Sequence, residues 1–260
     1  MSLPSPRRRD LGQHFLVDEN IVGVAGRLAD LQANDVVLEV GPGLGILTSF
    51  LADRARFVHA VEIDSGLAPH LRERFANRTN VGLVFADALE LQLAELEPAP
   101  NKFVSNLPYN VATPLIAESL DGLPTLDVWC VMVQREAADR LFSKPGRSDY
   151  AAVSVLVQLT AERTGFHPVS RSVFRPPPSV DSALVAFRRR KVWGPEFKKL
   201  KIVVHGAFAH RRKTLVNSLE LSGFERDSVE KAVAELGLRP DIRAERLPPG
   251  VFVRLAEQLR

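Results

Sequence analysis

The chain has 260 residues, 45% of them hydrophobic and 25% charged, enough apolar material for one large globular domain plus a small one. No apolar run reaches the ~18 residues of a membrane span. Arg7, Arg8 and Arg9 are followed by no apolar stretch of the secretory kind. The single cysteine, Cys130, excludes an internal disulfide and a cysteine-rich metal site. A cytoplasmic protein is expected, a monomer by default. The net charge of +3 conceals an asymmetry: from Arg188 onward there are 17 Lys and Arg against 9 Asp and Glu. A basic end on a mildly acidic body suits a polyanionic partner.

In chain order, residues 18–30 place Ile21, Val22, Val24, Ala25 and Leu28 at helical spacing, with Asp18 as N-cap. Val36 to Val40 reads as a buried strand. The turn Gly41-Pro42-Gly43-Leu44-Gly45 follows, then a helix from Ile46 to Asp53. Strands are expected at 57–61, 81–85, 102–105 and 126–133, and helices at 65–76, 112–120, 135–142 and 150–161. Two further strands fall near 164–169 and 182–187. This alternation predicts an α/β fold with a mostly parallel sheet. Beyond the basic hinge Arg188-Arg189-Arg190-Lys191, strand signals stop. Helices are expected near 196–209, 212–221, 226–236 and 248–259, so a domain boundary falls near residue 188.

Ligands of such sheets bind at the carboxyl ends of the strands. The glycine turn, Glu62, Asp87 and Asn106 all stand at strand ends, so four loops converge on one cleft. Glycines allow close backbone approach to a ligand. The spacing is not that of the dinucleotide fingerprint, because the third glycine comes one residue early. Glu62 lies 21 residues after Gly41, near the ~20 expected of a carboxylate that binds ribose hydroxyls. Asp87 can accept from an adenine amine or cap its own turn. Together these residues describe a site for an adenosine-bearing cofactor.

The segment Ser105-Asn106-Leu107-Pro108-Tyr109-Asn110 matches the Asn-Pro-Pro-Tyr type of amino-group methyltransferases and points to S-adenosyl-L-methionine. Adenine N6 is a poor nucleophile. The Asn106 side chain and the Pro108 carbonyl are expected to accept its two hydrogens and favour a pyramidal amine. Tyr109 offers a face for a flipped base.

Several segments are shared with one family: Leu11-Gly12-Gln13-His14-Phe15-Leu16, Glu39-Val40-Gly41-Pro42-Gly43, Val61-Glu62-Ile63-Asp64, Ala86-Asp87-Ala88 and Asn106 to Asn110. Val133-Gln134-Arg135-Glu136, Phe174-Arg175-Pro176-Pro177-Pro178-Ser179-Val180-Asp181-Ser182 and Ala207 to Leu215 extend the match. Across nearly its whole length the chain resembles the ribosomal RNA adenine dimethyltransferases (the KsgA/RsmA group). The resemblance implies a seven-stranded, Rossmann-like methyltransferase sheet over residues 1–187, with a basic arm at 1–13. It also implies a small all-helical rRNA-recognition domain over 188–260. It implies cofactor contacts at His14, Leu16, Gly41, Gly43, Glu62, Ile63, Asp87, Ala88 and Asn106. Catalysis would fall to Asn106, Leu107, Pro108 and Tyr109, with Phe174 as a second aromatic wall. Family members commonly carry Asn where this chain has His14. The implied reaction is N6,N6-dimethylation of two adjacent adenosines near the 3′ end of 16S rRNA, in the small ribosomal subunit or its precursor.

Relatives that methylate 23S rRNA share this core. They typically have Ile at the position of Leu107 and lack this form of the Phe-x-Pro-Pro-Pro segment. A non-catalytic rRNA-binding assembly factor need not keep Asn106 to Tyr109. A nicotinamide oxidoreductase fails on the glycine spacing. Arg7, Arg8, Arg9, Arg135, Arg211, Arg212 and Lys213 are the candidate RNA contacts. The histidines show no metal-ligand spacing, so no metal is expected. Cys130, Trp129 and Trp193 read as packing residues.

Overall fold

A computed structural model describes residues 14–259. Asp18 opens α1 (Glu19–Leu28) by accepting the Asn20 N–H at 2.8 Å, as its N-cap position predicts. Strands β2 (Val36–Val40) and β3 (Phe57–Glu62) follow, separated by α2 (Ile46–Ala52). After α3 (Ala68–Arg74) come β4 (Val81–Phe85), β5 (Lys102–Asn106), α4 (Ala112–Gly122) and β6 (Val128–Gln134). The chain continues through α5 (Arg135–Leu141), α6 (Ala152–Thr160), β7 (Ala161–Val169) and β9 (Ser182–Arg189). The C-terminal helices are α7 (Glu196–Ala209), α8 (Leu215–Leu221), α9 (Arg226–Glu235) and α10 (Pro249–Gln258). The elements expected from residue 18 onward are all present.

The sheet has seven strands in the order β4-β3-β2-β5-β6-β9-β7. Strands β2 to β6 run parallel, and β9 returns antiparallel along β6. Its central strands are buried on both faces, which is why they read as continuous apolar runs. Trp129 stacks on Phe187 at 5.2 Å and donates its indole N–H to Ser119 Oγ at 2.8 Å. Cys130 is a core residue, fully buried, with its thiol pushed up to about 12 by burial.

One element has no counterpart in the sequence pattern. Phe15–Leu16 (β1) and Phe174–Arg175 (β8) form a two-stranded antiparallel sheet, with Leu16 opposite Phe174. Two-residue strands are too short for a period to show.

The chain divides into two compact units. One comprises residues up to Ala138 together with Glu162–Arg189; the other comprises Asp139–Ala161 with Arg190–Arg260. A single cut near residue 188 therefore does not describe the division, because residues 139–161 join the C-terminal helices. Tyr150 explains this allegiance: its hydroxyl donates to Leu247 O at 2.9 Å and its ring meets Phe208 edge-on at 5.7 Å. The Gly146 N–H donates to Glu245 O at 2.7 Å.

Candidate active site

The strand order reverses between β2 and β5, which makes their carboxyl ends the topological switch point of the sheet. Val40 runs directly into the glycine turn. Gly41 has φ +78°, and a Cβ there would lie 3.3 Å from Pro108 Cδ. Gly43 has φ +57°, and a Cβ there would lie 3.0 Å from the Phe15 ring. Both the left-handed backbone and the crowding demand glycine. The turn is pinned by Gly41 N–H to Val61 O and Gly45 N–H to Pro42 O, each 2.8 Å.

Glu62 ends β3 at 4% exposure. Its Oε2 accepts from Gly43 N–H at 3.1 Å and its Oε1 from Asp64 N–H at 2.9 Å. Burial raises its pKa, and these N–H groups pull it partly back. Each oxygen keeps a further lone pair for a ligand. Asp87 accepts from Leu89 N–H at 2.9 Å, so it caps its own turn while lining the cavity.

The Asn106 segment departs from expectation at one atom. The Pro108 carbonyl accepts Val111 N–H at 3.2 Å and Ala112 N–H at 3.0 Å, which opens α4. It is committed to the helix and is not the second amine acceptor. Leu107 donates its N–H to Met132 O at 3.0 Å and leaves its own carbonyl outside that helix-opening pair. No described residue ties the Asn106 side chain, which borders the cavity.

Tyr109 shares a 2.8 Å hydrogen bond with Ser182 Oγ, and partial burial raises its pKa. Its ring lies 5.8 Å from that of His14, tilted by 31°. A carbonyl can only accept, so His14 Nδ1–H donates to Pro176 O, at 2.9 Å.

All the residues expected to contact a cofactor line one cavity, together with Leu107, Pro108 and Tyr109. Phe174 does not. Pairing of β8 with β1 turns it into the core, where it is fully buried among residues such as Leu16 and Met132. The ring facing Tyr109 is that of His14 instead.

Glu39 was not among the expected site residues. It is 1% exposed and lines the same cavity, and its Oε2 and the neighbouring Thr48 Oγ1 have no hydrogen-bond partner among the described residues. Burial pushes the Glu39 carboxyl up to about 8, and the Glu62 charge adds to that rise. The available signal was an acid inside the otherwise apolar run Val36 to Val40.

None of the described basic candidates lines this cavity. Arg135 is exposed and lies over the Phe166 ring at 4.9 Å. In the helical unit, Arg211 donates to Ser148 O at 2.6 Å, and Arg212 and Lys213 are exposed. Arg7, Arg8 and Arg9 lie outside the described residues. Among the described residues no group of three His, Cys, Asp or Glu could hold a metal, and no helix is long and apolar enough to cross a membrane.

A model of a family described as ribosomal RNA adenine dimethylase matches residues 5–260. The chain is similar to a Rubrobacter xylanophilus protein named ribosomal RNA small subunit methyltransferase A, at 46% identity over 98% of this chain and 96% of that one. A Moorella thermoacetica protein of the same name is 39% identical over 97% and 92%. Among solved structures, a dimethyladenosine transferase from Plasmodium falciparum superposes with a TM-score of 0.76 at 25% identity, covering 93% of this chain and 96% of that one. The 23S rRNA methyltransferase ErmE superposes with a TM-score of 0.65 at 32% identity, covering 94% and 99%.

Proposed function

Because the chain belongs to the ribosomal RNA adenine dimethylase family, we propose that it dimethylates N6 of two adjacent adenosines near the 3′ end of 16S rRNA, in the small subunit or its precursor, using S-adenosyl-L-methionine. The names of the sequence relatives support the small-subunit target. The single observation that carries the mechanism is the untied Asn106 side chain at the edge of the cavity that also holds Glu62, Asp87 and the glycine turn.

The residues present fit an adenosyl cofactor. The glycine turn is a cradle that any Cβ would crowd. Glu62 has lone pairs left for a ribose diol, and Asp87 has capacity left for an adenine amine. Ile63, 52% exposed, and Ala88 offer apolar contact to the adenine ring. Glu39 contributes a buried carboxyl oxygen that suits a ligand with N–H donors. When bound, the cofactor supplies a methyl group activated on a sulfonium.

The chain's own work is to present the amine. Asn106 Oδ1 and the Leu107 carbonyl accept the two N6 hydrogens, which frees the lone pair for attack and disperses the positive charge that develops on N6. With the cofactor bound, its activated methyl would pass to N6 while Asn106 Oδ1 and the Leu107 carbonyl hold the amine, and the displaced N6 proton would leave for solvent. Tyr109, braced by Ser182, holds the base by stacking. Arg135, Arg212 and Lys213 serve as phosphate contacts, together with Arg7, Arg8 and Arg9, so affinity for the subunit falls with salt.

The test is transfer of labelled methyl to small subunits lacking the adenine marks, with mapping of the labelled nucleotides. Dimethyladenosine at two adjacent adenines is expected in 16S RNA; label in 23S RNA alone would move the target. Asn106→Ala is expected to lose about 100-fold or more in turnover, while calorimetry still detects binding of S-adenosylhomocysteine. Undiminished turnover in that variant would refute the amine-acceptor role.

A further inference from the structure

At the switch point the two central strands part. β2 and β5 pair at Val37 with Lys102 and at Leu38 with Phe103. Past those pairs, β2 leads to the glycine turn and β5 to Asn106. One side chain spans the opening. Ser105 Oγ donates to Val40 O at 2.5 Å and accepts from Val40 N–H at 3.3 Å.

A hydroxyl is suited to this double task because one atom both donates and accepts. Ser105 is 1% exposed and Val40 5%, so solvent is a poor substitute for either bond. The residues on either side of the clasp are those that carry the chemistry: Val40 precedes Gly41, and Ser105 precedes Asn106. Gly41 in turn lies against Pro108, close enough that a Cβ would sit 3.3 Å from its ring.

We propose that Ser105 is a positioning residue for methyl transfer: its hydroxyl bridge to Val40 fixes the separation between the cofactor-binding turn and the amine-accepting segment. The inference rests on Asn106 as the amine acceptor. The glycine turn and Glu62 hold the cofactor by their own bonds, so the clasp governs how the two half-sites meet rather than whether either one binds. In-line transfer is sensitive to that separation, since a displacement of ~1 Å can cost ~100-fold in rate.

The experiment compares Ser105→Thr with Ser105→Val, two β-branched side chains of the same shape that differ in the hydroxyl. Ser105→Thr is expected to turn over like the parent protein. Ser105→Val is expected to lose about tenfold in kcat, a fraction of the cost of a 1 Å displacement. Its KM for S-adenosylmethionine and its Kd for S-adenosylhomocysteine should stay within about twofold, and hydrogen exchange at the Val40 amide should speed up. Should Ser105→Val fail to fold, Ser105→Ala takes its place with the same expected split. Equal kcat in the Thr and Val variants overturns the proposal. So does a loss of kcat matched by equal losses of cofactor affinity and Tm, which marks a merely structural role. Asn106→Ala is assayed alongside. Loss of turnover there, with equal Thr and Val variants, overturns the clasp alone; full turnover there overturns the amine site and the clasp together.

Discussion

At the amino end of β2 and β5, Asp35 and Lys102 are 3% and 5% exposed and form an ion pair at 2.9 Å. Asp35 also accepts from Gln32 N–H at 2.6 Å and from the Asn101 amide at 2.8 Å. Asn101 Oδ1 accepts Val36 N–H at 2.8 Å, and the Lys102 ammonium donates to the carbonyls of Ala29 and Asp30. At the carboxyl end of the same strands, Glu39 is as deeply buried, yet its Oε2 and Thr48 Oγ1 have no partner among the described residues. Burial is equal at the two ends; satisfaction is not. A fully paired buried network secures the strands, whereas Glu39, whose Oε2 has no hydrogen-bond partner among the described residues, lines the cavity where a ligand can supply one. The contrast separates residues kept for stability from residues kept for chemistry.

The largest effect should come from breaking the paired end. Lys102→Met leaves the Asp35 carboxylate buried without its cation and should cost about 3–5 kcal/mol of stability, read by urea unfolding. Binding of S-adenosylhomocysteine by the folded protein should change little, because the network lies at the opposite end of the strands. A stability loss near zero, or a selective loss of binding, would erase the distinction. A smaller effect belongs to the site end. Tyr109→Ala should lower kcat/KM for small subunits by about 10- to 100-fold, the worth of one base stack at ~1–3 kcal/mol. Unfolding should move far less than in Lys102→Met. Tyr109→Phe keeps the ring and loses only the bond to Ser182, so its deficit should stay below about tenfold.

What the sequence made legible were features written locally. Glu62, Asp87 and Asn106 each end a run of strand-forming residues, and their shared placement follows from the sheet alone. Features that depend on distant pairing were illegible. Phe174 reads as a free aromatic before a proline run until β8 meets β1 and turns it inward. The Pro108 carbonyl looks available until α4 begins four residues later and takes it. Residues 139–161 join the C-terminal helices through contacts such as Tyr150 to Leu247 that no spacing encodes. Glu39 was hidden by its own neighbours, since one acid in Val36 to Val40 does not spoil an apolar strand.

Glu39 also provides the finest test of the contrast, through pH. Burial lifts its carboxyl from the ordinary 4.5 to about 8. Between those values the folded protein keeps a proton that the unfolded chain has released. The folded state therefore binds more protons, and its stability falls as pH rises through that window. Glu39→Gln has no proton to lose there, so its stability should vary less steeply across the same range. The difference in slope should be at most about 1.4 kcal/mol per pH unit, read from urea unfolding at a series of pH values without ligand. A ligand that donates an N–H to Glu39 Oε2 favours the charged carboxylate and lowers its pKa. Saturating S-adenosylhomocysteine should then flatten the parent profile toward that of the variant. Parallel profiles for parent and variant would mean that Glu39 is satisfied within the fold, and the two ends of the strands would no longer differ in kind.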